Sequence, residues 1–404
     1  MRAWWTLLLL GLVAGARPRV RLENGAAARH ASAAAKGRRP PVACIPEWEC
    51  TLSSRHCDCV KDGSGARVLT PGAGGPECGA SPHAPLVRVV LDAASWLAHE
   101  LNTGVHACHR SHCVMSVGTS LAPDSDVFVT AAPTPHWTDA VRDGQEIALL
   151  SLEASKQSNA QHFDPVWLRG HNVSHVLSYA PVAGAHTTVV SFANFDAHHA
   201  LRQPLPVADK LPAVAAFISN CNAGAAFDRL ALVQRFRDAG IDVYSFGACA
   251  NTHSIEQMFP HCARQSRRSA MWDFQKLCVA QHFRFTFALE NTIAPGWVTE
   301  KLFQSLLAGS VPIYAGAPDV GALLPAPESA VVVRPSEPDS VDAAIARVRE
   351  LMAHDRAYDA MLAWKRSASR WSAGFRSAVE QSLGNLACVV CDDFVGRAGI
   401  KHLL

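Results

Sequence analysis

Between residues 84 and 200 the apolar positions come in short bursts separated by polar stretches. PLVRVVLDA, CVMSVG, SDVFVT, EIALLSLE and VSHVLSY are each a few residues long, rich in Val, Leu and Ile, and nearly unbroken. Runs of this length and composition read as strands of a mainly buried sheet, and the polar stretches between them as helices and loops. The pattern predicts an α/β domain over residues 84–204.

From residue 205 the grammar is sharper. AVAAFISN reads as a buried strand, FDRLALVQRFRDAG as a helix and IDVYSFG as the next strand. Asp228 can cap the helix, Leu230, Val233 and Phe236 can share one face, and Gly240 can end it. The sequence then repeats the arrangement. HFRFTFAL alternates as a strand does, VTEKLFQSLLAG stacks Val298, Leu302 and Leu306 before Gly309, and SVPIYAG is a further strand. Two βαβ units make a second α/β domain over 205–370. DSVDAAIARVRELMAHDRAYDAMLAWKRS reads as two helices near its end, followed by a C-terminal segment, 371–404.

The N-terminal pattern is different. MRAWWTLLLLGLVAGA, residues 1–16, has one arginine, an apolar run and small residues, the anatomy of a signal peptide or of a short uncleaved type II anchor. Residues 17–43 are rich in Ala and Arg without an apolar face and predict a disordered stem. Residues 44–80 hold Cys44, Cys50, Cys57, Cys59 and Cys78 among Gly, Pro and Ser, which predicts a small disulfide-stapled module rather than a zinc site. No other segment is apolar enough to span a bilayer, which excludes a transporter.

Composition narrows the class. Of 404 residues, 49% are hydrophobic and 18% charged, and the formal net charge of +2 argues against a nucleic-acid scaffold. Thirteen cysteines point to an oxidising compartment, and the odd count leaves at least one thiol unpaired or paired between chains.

Two cations carry the chemistry. Arg229 and Lys301 each fall in the first turn of a helix that follows a strand, where the helix dipole disfavours positive charge. Parallel sheets gather ligands beyond their C-terminal strand ends, and a diphosphate held there would account for both cations; surface snorkelling is the plain alternative. Neither a dinucleotide fingerprint nor a Walker loop occurs. HACHRSHC, 106–113, is too crowded for a tetrahedral metal site and suggests a Cys108–Cys113 bridge or free thiols. DSD, 124–126, could hold a divalent ion but leads straight into a strand, so no metal site is assigned. NVS marks Asn172 as a glycosylation acceptor, and RQSRRS, 264–269, reads as a solvated loop.

FRFTFALENTIAPGWVTEKLFQSLLAGSVPIYAGAP resembles the donor-binding signature of the α1,3/4-fucosyltransferases. Glu290 and Asn291 stand ten residues before Glu300 and Lys301, as in that family. FISNCN with Arg229, LLSLEAS with VSHVLSYAPVA, and the CVVC cysteine pair, Cys388 and Cys391, resemble further family segments, and the likeness makes those two cysteines disulfide candidates. The likeness is strong over 205–370, fair over 120–200 and absent before residue 84.

The resemblance implies two Rossmann-like domains facing a cleft, the GT-B arrangement. It implies GDP-fucose as donor, and inverting transfer to a GlcNAc hydroxyl of a glycan on a glycoprotein or glycolipid. Leaving GDP would be stabilised by Arg229 and Lys301. Asn291, Trp297 and Glu300 would contact the donor, and Glu153 would be the general base. No cofactor would be required, with Mn2+ or Mg2+ as stimulants at most. The setting would be the Golgi lumen, with a membrane partner only through an uncleaved anchor and no nucleic acid. Leu289 and Trp297 depart from the family's usual Phe and Tyr; at 297 any hydrogen bond from the tyrosine hydroxyl is lost or moves to the indole N–H. Transfer from another nucleotide sugar, and non-catalytic binding of a glycan or nucleotide, are the rival classes.

Overall fold

The structure is a computed structural model. It describes residues 85–94, 103–119, 123–131, 141–142, 144–154, 160–195, 197–221, 225–265 and 273–401, and residues 57–61 and 67–71 as backbone. The expected leader, the stem, and the SRRS of the 264–269 loop lie outside the described residues. So does the cysteine module, apart from an antiparallel pair, β1 (Cys57–Lys61) and β2 (Arg67–Pro71).

The first large sheet has seven strands: β3 (Leu86–Asp92), β4 (Gly104–Ala107), β5 (His112–Gly118), β6 (Val127–Thr130), β7 (Glu146–Ser151), β8 (Val173–Ser178) and β9 (His186–Val189). Their order is β4-β5-β3-β6-β7-β8-β9, and every pair is parallel except β4 with β5. Each of the five apolar bursts in the sequence is one of these strands. β6 and β7 are buried along their whole length, which is why they read as unbroken apolar runs rather than as alternation. A short helix, α1 (Pro165–Gly170), is capped by Asp164 and leads into β8. Asn172 sits between them, exposed, with φ +51°, in a turn compatible with its expected role as an acceptor.

The second sheet has five parallel strands: β10 (Leu211–Ala216), β11 (Val243–Ser245), β12 (Phe283–Leu289), β13 (Val311–Ala315) and β14 (Val331–Val332), in the order β11-β10-β12-β13-β14. α2 (Arg229–Asp238) follows β10, with the Asp228 side chain accepting from the Ala231 amide and with Val233 and Phe236 buried. α3 (Phe274–Ala280) precedes β12, and α4 (Glu300–Leu307) follows it. Leu302, Phe303 and Leu306 on α4 are each 0% exposed. The two helices expected late in the domain are α5 (Pro338–Ala353) and α6 (Asp355–Met361); α5 lays Val341, Ile345 and Val348 on the second sheet's core.

The C-terminal segment returns to the first sheet. α7 (Ala373–Glu380) joins a core shared by both sheets, and α8 (Leu386–Lys401) packs on β3 and β5. Disulfides Cys108–Cys388 and Cys113–Cys391 fasten it there. These pairings correct the expectation for 106–113: Cys108 and Cys113 neither bridge each other nor stay free. Cys388 and Cys391 are three residues apart, so on a helix both face the same partner loop. The Asp392 carboxylate, next to Cys391, accepts from the amides of His109 and Arg110 and from the Ser111 hydroxyl, at 3.0, 2.9 and 2.8 Å. Two of the loop's backbone donors are thus satisfied by α8. Two further disulfides, Cys221–Cys249 and Cys262–Cys278, lie in the second domain. No described helix is long and apolar enough to cross a membrane.

Candidate active site

The site forms where β12 ends and α4 begins. Glu290 follows β12 directly and is 0% exposed. A carboxylate so deeply buried costs several kcal/mol unless its oxygens are satisfied. One oxygen accepts from the Thr299 amide at 2.8 Å, and the other accepts from the Thr299 hydroxyl at 2.7 Å and lies 3.3 Å from the Lys301 ammonium. Gly316 makes room for it, because a Cβ there would come within 2.5 Å of both Glu290 Cγ and the Tyr314 hydroxyl. Burial pushes the Glu290 carboxyl up, and Lys301 opposes that shift.

Lys301 is therefore welcome at a helix N-terminus for a reason the sequence pattern alone did not give. Its ammonium donates to Thr299 Oγ1 at 2.9 Å and to Glu300 Oε1 at 3.0 Å, besides its contact with Glu290. Burial would lower its pKa, but Glu290 and Glu300 outweigh it and hold the ammonium above its ordinary value. Burial likewise acts to raise Glu300, and Lys301 followed by Lys276 outweighs it, leaving that carboxyl below its ordinary value.

Arg229, at the start of α2, is 7% exposed and donates to the Asn220 carbonyl at 2.6 Å. Burial lowers its pKa, and the charge of Glu290 counters it, so Arg229 lies within the field of the same carboxylate. A third cation was missed by the sequence reasoning. Lys276 sits in the first turn of α3, capped by Asp273, with its ammonium 5.6 Å from the Phe217 ring centroid. Burial pushes it down, while Glu300 pulls it up and Lys301 repels it. The signal was the one that marked Arg229 and Lys301, a cation just inside a helix start. Three cations thus lie within the field of two buried carboxylates, a cluster whose cations can receive an anion.

Asn291 adds a polar vacancy of another kind. Its backbone carbonyl accepts from the Ala226 amide at 2.8 Å, while its side-chain Oδ1 is buried with no partner among the described residues. A buried acceptor left unpaired is costly, so the oxygen is suited to a donor brought by a ligand.

The other wall comes from the first sheet. Glu153 lies two residues past β7 and is exposed. Partial burial raises its carboxyl, Lys301 lowers it and Glu300 raises it further, so the candidate base lies within electrostatic reach of the Lys301–Glu300 pair. The joint is Trp297. It is 2% exposed, and its indole N–H donates to the Leu152 carbonyl at 3.1 Å. The hydrogen bond available at position 297 is thus spent on the strand end that carries Glu153. Gly296 beside it has φ +71° and donates its amide to both Asp319 oxygens, at 2.8 and 3.0 Å. A left-handed turn of this kind suits glycine.

Glu153, Arg229, Asn291, Trp297, Glu300 and Lys301 are accordingly brought to the same facing edges. DSD is not among them. Asp126 precedes β6 at the other end of the sheet, where it accepts from the Arg88 amide at 2.7 Å, and Asp124 is 3.7 Å from the Arg88 guanidinium.

A family model described as glycosyltransferase family 10 (fucosyltransferase), C-terminal region, matches residues 207–401. An alpha-(1,4)-fucosyltransferase of Arabidopsis thaliana is 36% identical over 160 residues, 39% of this chain and 39% of the relative. GDP-fucose protein O-fucosyltransferase 3 of Danio rerio is 37% identical over 125 residues, 31% of this chain and 26% of the relative. The chain thus spans less than half the length of either. The crystal structure of an alpha1,3-fucosyltransferase is similar with a TM-score of 0.46 and 15% identity, covering 74% of this chain and 92% of that one. Residues 207–401 of the chain thus match the model of glycosyltransferase family 10, the fucosyltransferases.

Proposed function

We propose that the protein is an inverting fucosyltransferase that moves fucose from GDP-fucose to a GlcNAc hydroxyl of a glycan, in α1,3 linkage. The carrying observation is the cluster of Arg229, Lys276 and Lys301 around Glu290 and Glu300, with Glu153 within its field. As the bond from fucose to GDP breaks, negative charge develops on the diphosphate. Arg229 and Lys301 stabilise it without having to be recruited at that moment. Asn291 Oδ1 and Glu300 accept from donor hydroxyls or the base. Glu153 takes the proton of the acceptor hydroxyl as that oxygen attacks the sugar carbon from the face opposite GDP.

This assignment requires no cofactor, so transfer should persist in EDTA even if Mn2+ or Mg2+ stimulates it. The four disulfides among the described residues suit an oxidising lumen, and a Golgi setting follows from that reading. A second reading, transfer to a protein hydroxyl, is favoured by the similarity to GDP-fucose protein O-fucosyltransferase 3. Incubation with GDP-fucose and parallel panels of GlcNAc-terminated glycans and peptide domains, with linkage analysis, separates the two. Transfer to neither, or consumption of a different nucleotide sugar only, overturns the proposal.

A further inference from the structure

We propose that His175, His186 and Asp393 form a binding site for one divalent cation of the zinc type, which fastens α8 to the edge of the first sheet.

His175 and His186 are register partners on the adjacent strands β8 and β9. Asp393 reaches them from α8. The His186 Nε2 lies 3.0 and 3.1 Å from the two Asp393 oxygens, and the His175 Nε2 lies 3.6 Å from Asp393 Oδ2. The three ligand atoms all lie within 4.8 Å of one another. A tetrahedral ion with bonds of about 2.0–2.1 Å sets its ligand atoms roughly 3.3 Å apart, and the observed separations bracket that value.

The surroundings orient the ligands. His175 is 0% exposed, and its Nδ1 is 3.1 Å from Glu146 Oε1. A proton on Nδ1, directed to the carboxylate, leaves the Nε2 lone pair facing the cluster, the arrangement in which a carboxylate supports a metal-binding histidine. In that tautomer the Thr188 hydroxyl donates to the Nε2 lone pair at 2.8 Å, and an Asp393 oxygen lies 3.6 Å from the same nitrogen. A cation there would take the lone pair in place of the hydroxyl proton and bind the carboxylate as well.

Arg397 completes the set. Its guanidinium is 2.8 Å from Asp393 Oδ2 and 2.8 and 2.6 Å from the Glu146 oxygens, and 3.4 Å from His175 Nδ1. With neutral imidazoles, two carboxylates and one guanidinium leave one negative charge, so a divalent ion is electrostatically acceptable. The His186 side chain is 39% exposed, which leaves a path for entry and room for a water as fourth ligand. Imidazole and carboxylate together suit zinc better than magnesium or calcium. His175 pairs with Ala148 of β7, five residues before Glu153, so the ion would sit back along the strands from the candidate base and have a structural role.

The test uses the intact protein, dialysed against buffered Zn2+, then against metal-free buffer. Elemental analysis of wild type should show one equivalent of zinc more than His186→Ala, a change at a partly exposed position that spares the fold. Zn2+ should raise the wild-type Tm by several degrees and leave that of His186→Ala unmoved. Asp393→Asn should bind more weakly than wild type, and anomalous diffraction at the zinc edge should place the ion among the three side chains. Equal zinc content in wild type and His186→Ala, or an unchanged wild-type Tm, would show a protonated ion pair only and overturn the site.

Discussion

The indole N–H of Trp297 donates to the carbonyl of Leu152 at 3.1 Å, joining the loop before α4 to the residue that precedes Glu153. The bond links the donor-side loop to the strand end that carries the candidate base. A neutral hydrogen bond is worth about 0.5–1.5 kcal/mol, up to roughly tenfold in rate. Trp297→Phe keeps the ring and removes the donor. It should lower kcat by up to that factor and leave the affinity for GDP unchanged in calorimetric titration. Loss of GDP binding with unaltered kcat would place Trp297 in the donor pocket instead.

Glu153→Gln keeps the side chain's size and cannot take a proton. Transfer should fall by roughly 10² to 10⁴-fold, the usual worth of a general base, while GDP still binds. Partial burial raises the Glu153 carboxyl, so wild-type kcat/KM should climb with pH through a limb above the ordinary glutamate range as the base ionises. The variant should lack that limb. A near wild-type rate would move the base elsewhere.

Lys301 has two duties that can be separated. Lys301→Ala leaves Glu290 buried without its cation and should lower stability by up to about 3 kcal/mol, besides weakening GDP binding. Adding Glu290→Gln should restore most of the Tm but not the GDP affinity. Arg229→Ala should weaken GDP by about 1.5 to 3 kcal/mol, the cost of one charge-assisted contact. Recovery of GDP affinity in the Lys301/Glu290 double variant would show that Lys301 serves the fold alone.

Lys365 gives the stability a pH slope. It is 1% exposed and donates to the carbonyls of Ala200 and Leu307, at 2.9 and 3.3 Å. Burial, with repulsion from Lys210 and Arg202, pushes its ammonium down to about 7. The unfolded chain holds that proton up to a pH near 10.4. Below pH 7 both states are charged and the folded state bears the full cost. As pH rises the folded state releases the proton first, so stability grows by up to about 1.4 kcal/mol per pH unit. Urea midpoints should rise between pH 7 and 9, and Lys365→Met should flatten the rise. A slope that survives the substitution would assign it to other groups, Lys210 first, whose ammonium burial lowers to about 8.

How much of this was legible depended on distance along the chain. The strands and helices were, because a cap such as Asp228 and a stripe such as Leu302 and Leu306 act within a few residues. The expectation of two α/β domains followed from them. Cys108 and Cys388 were each visible as cysteines, but their pairing across 280 residues has no local signature. The partner of Lys301 lies eleven residues upstream, yet Glu290 turns inward only because Gly316 vacates the space, and that is a fact of packing. His175 and Asp393 meet only after α8 has crossed back to the first sheet.

That return has a consequence in time. The first sheet is synthesised early, but the helix that covers β3 and β5, and the sulfurs that close on Cys108 and Cys113, come 278 to 280 residues later. A nascent chain must hold an uncovered sheet and two waiting thiols while the whole second domain is made. Contacts so remote in sequence are slow to form, and the exposed intermediate is prone to association or to wrong cysteine pairings. Loss of residues 386–401 would strike the domain built first, and the oxidative folding of this protein should be timed by the arrival of α8.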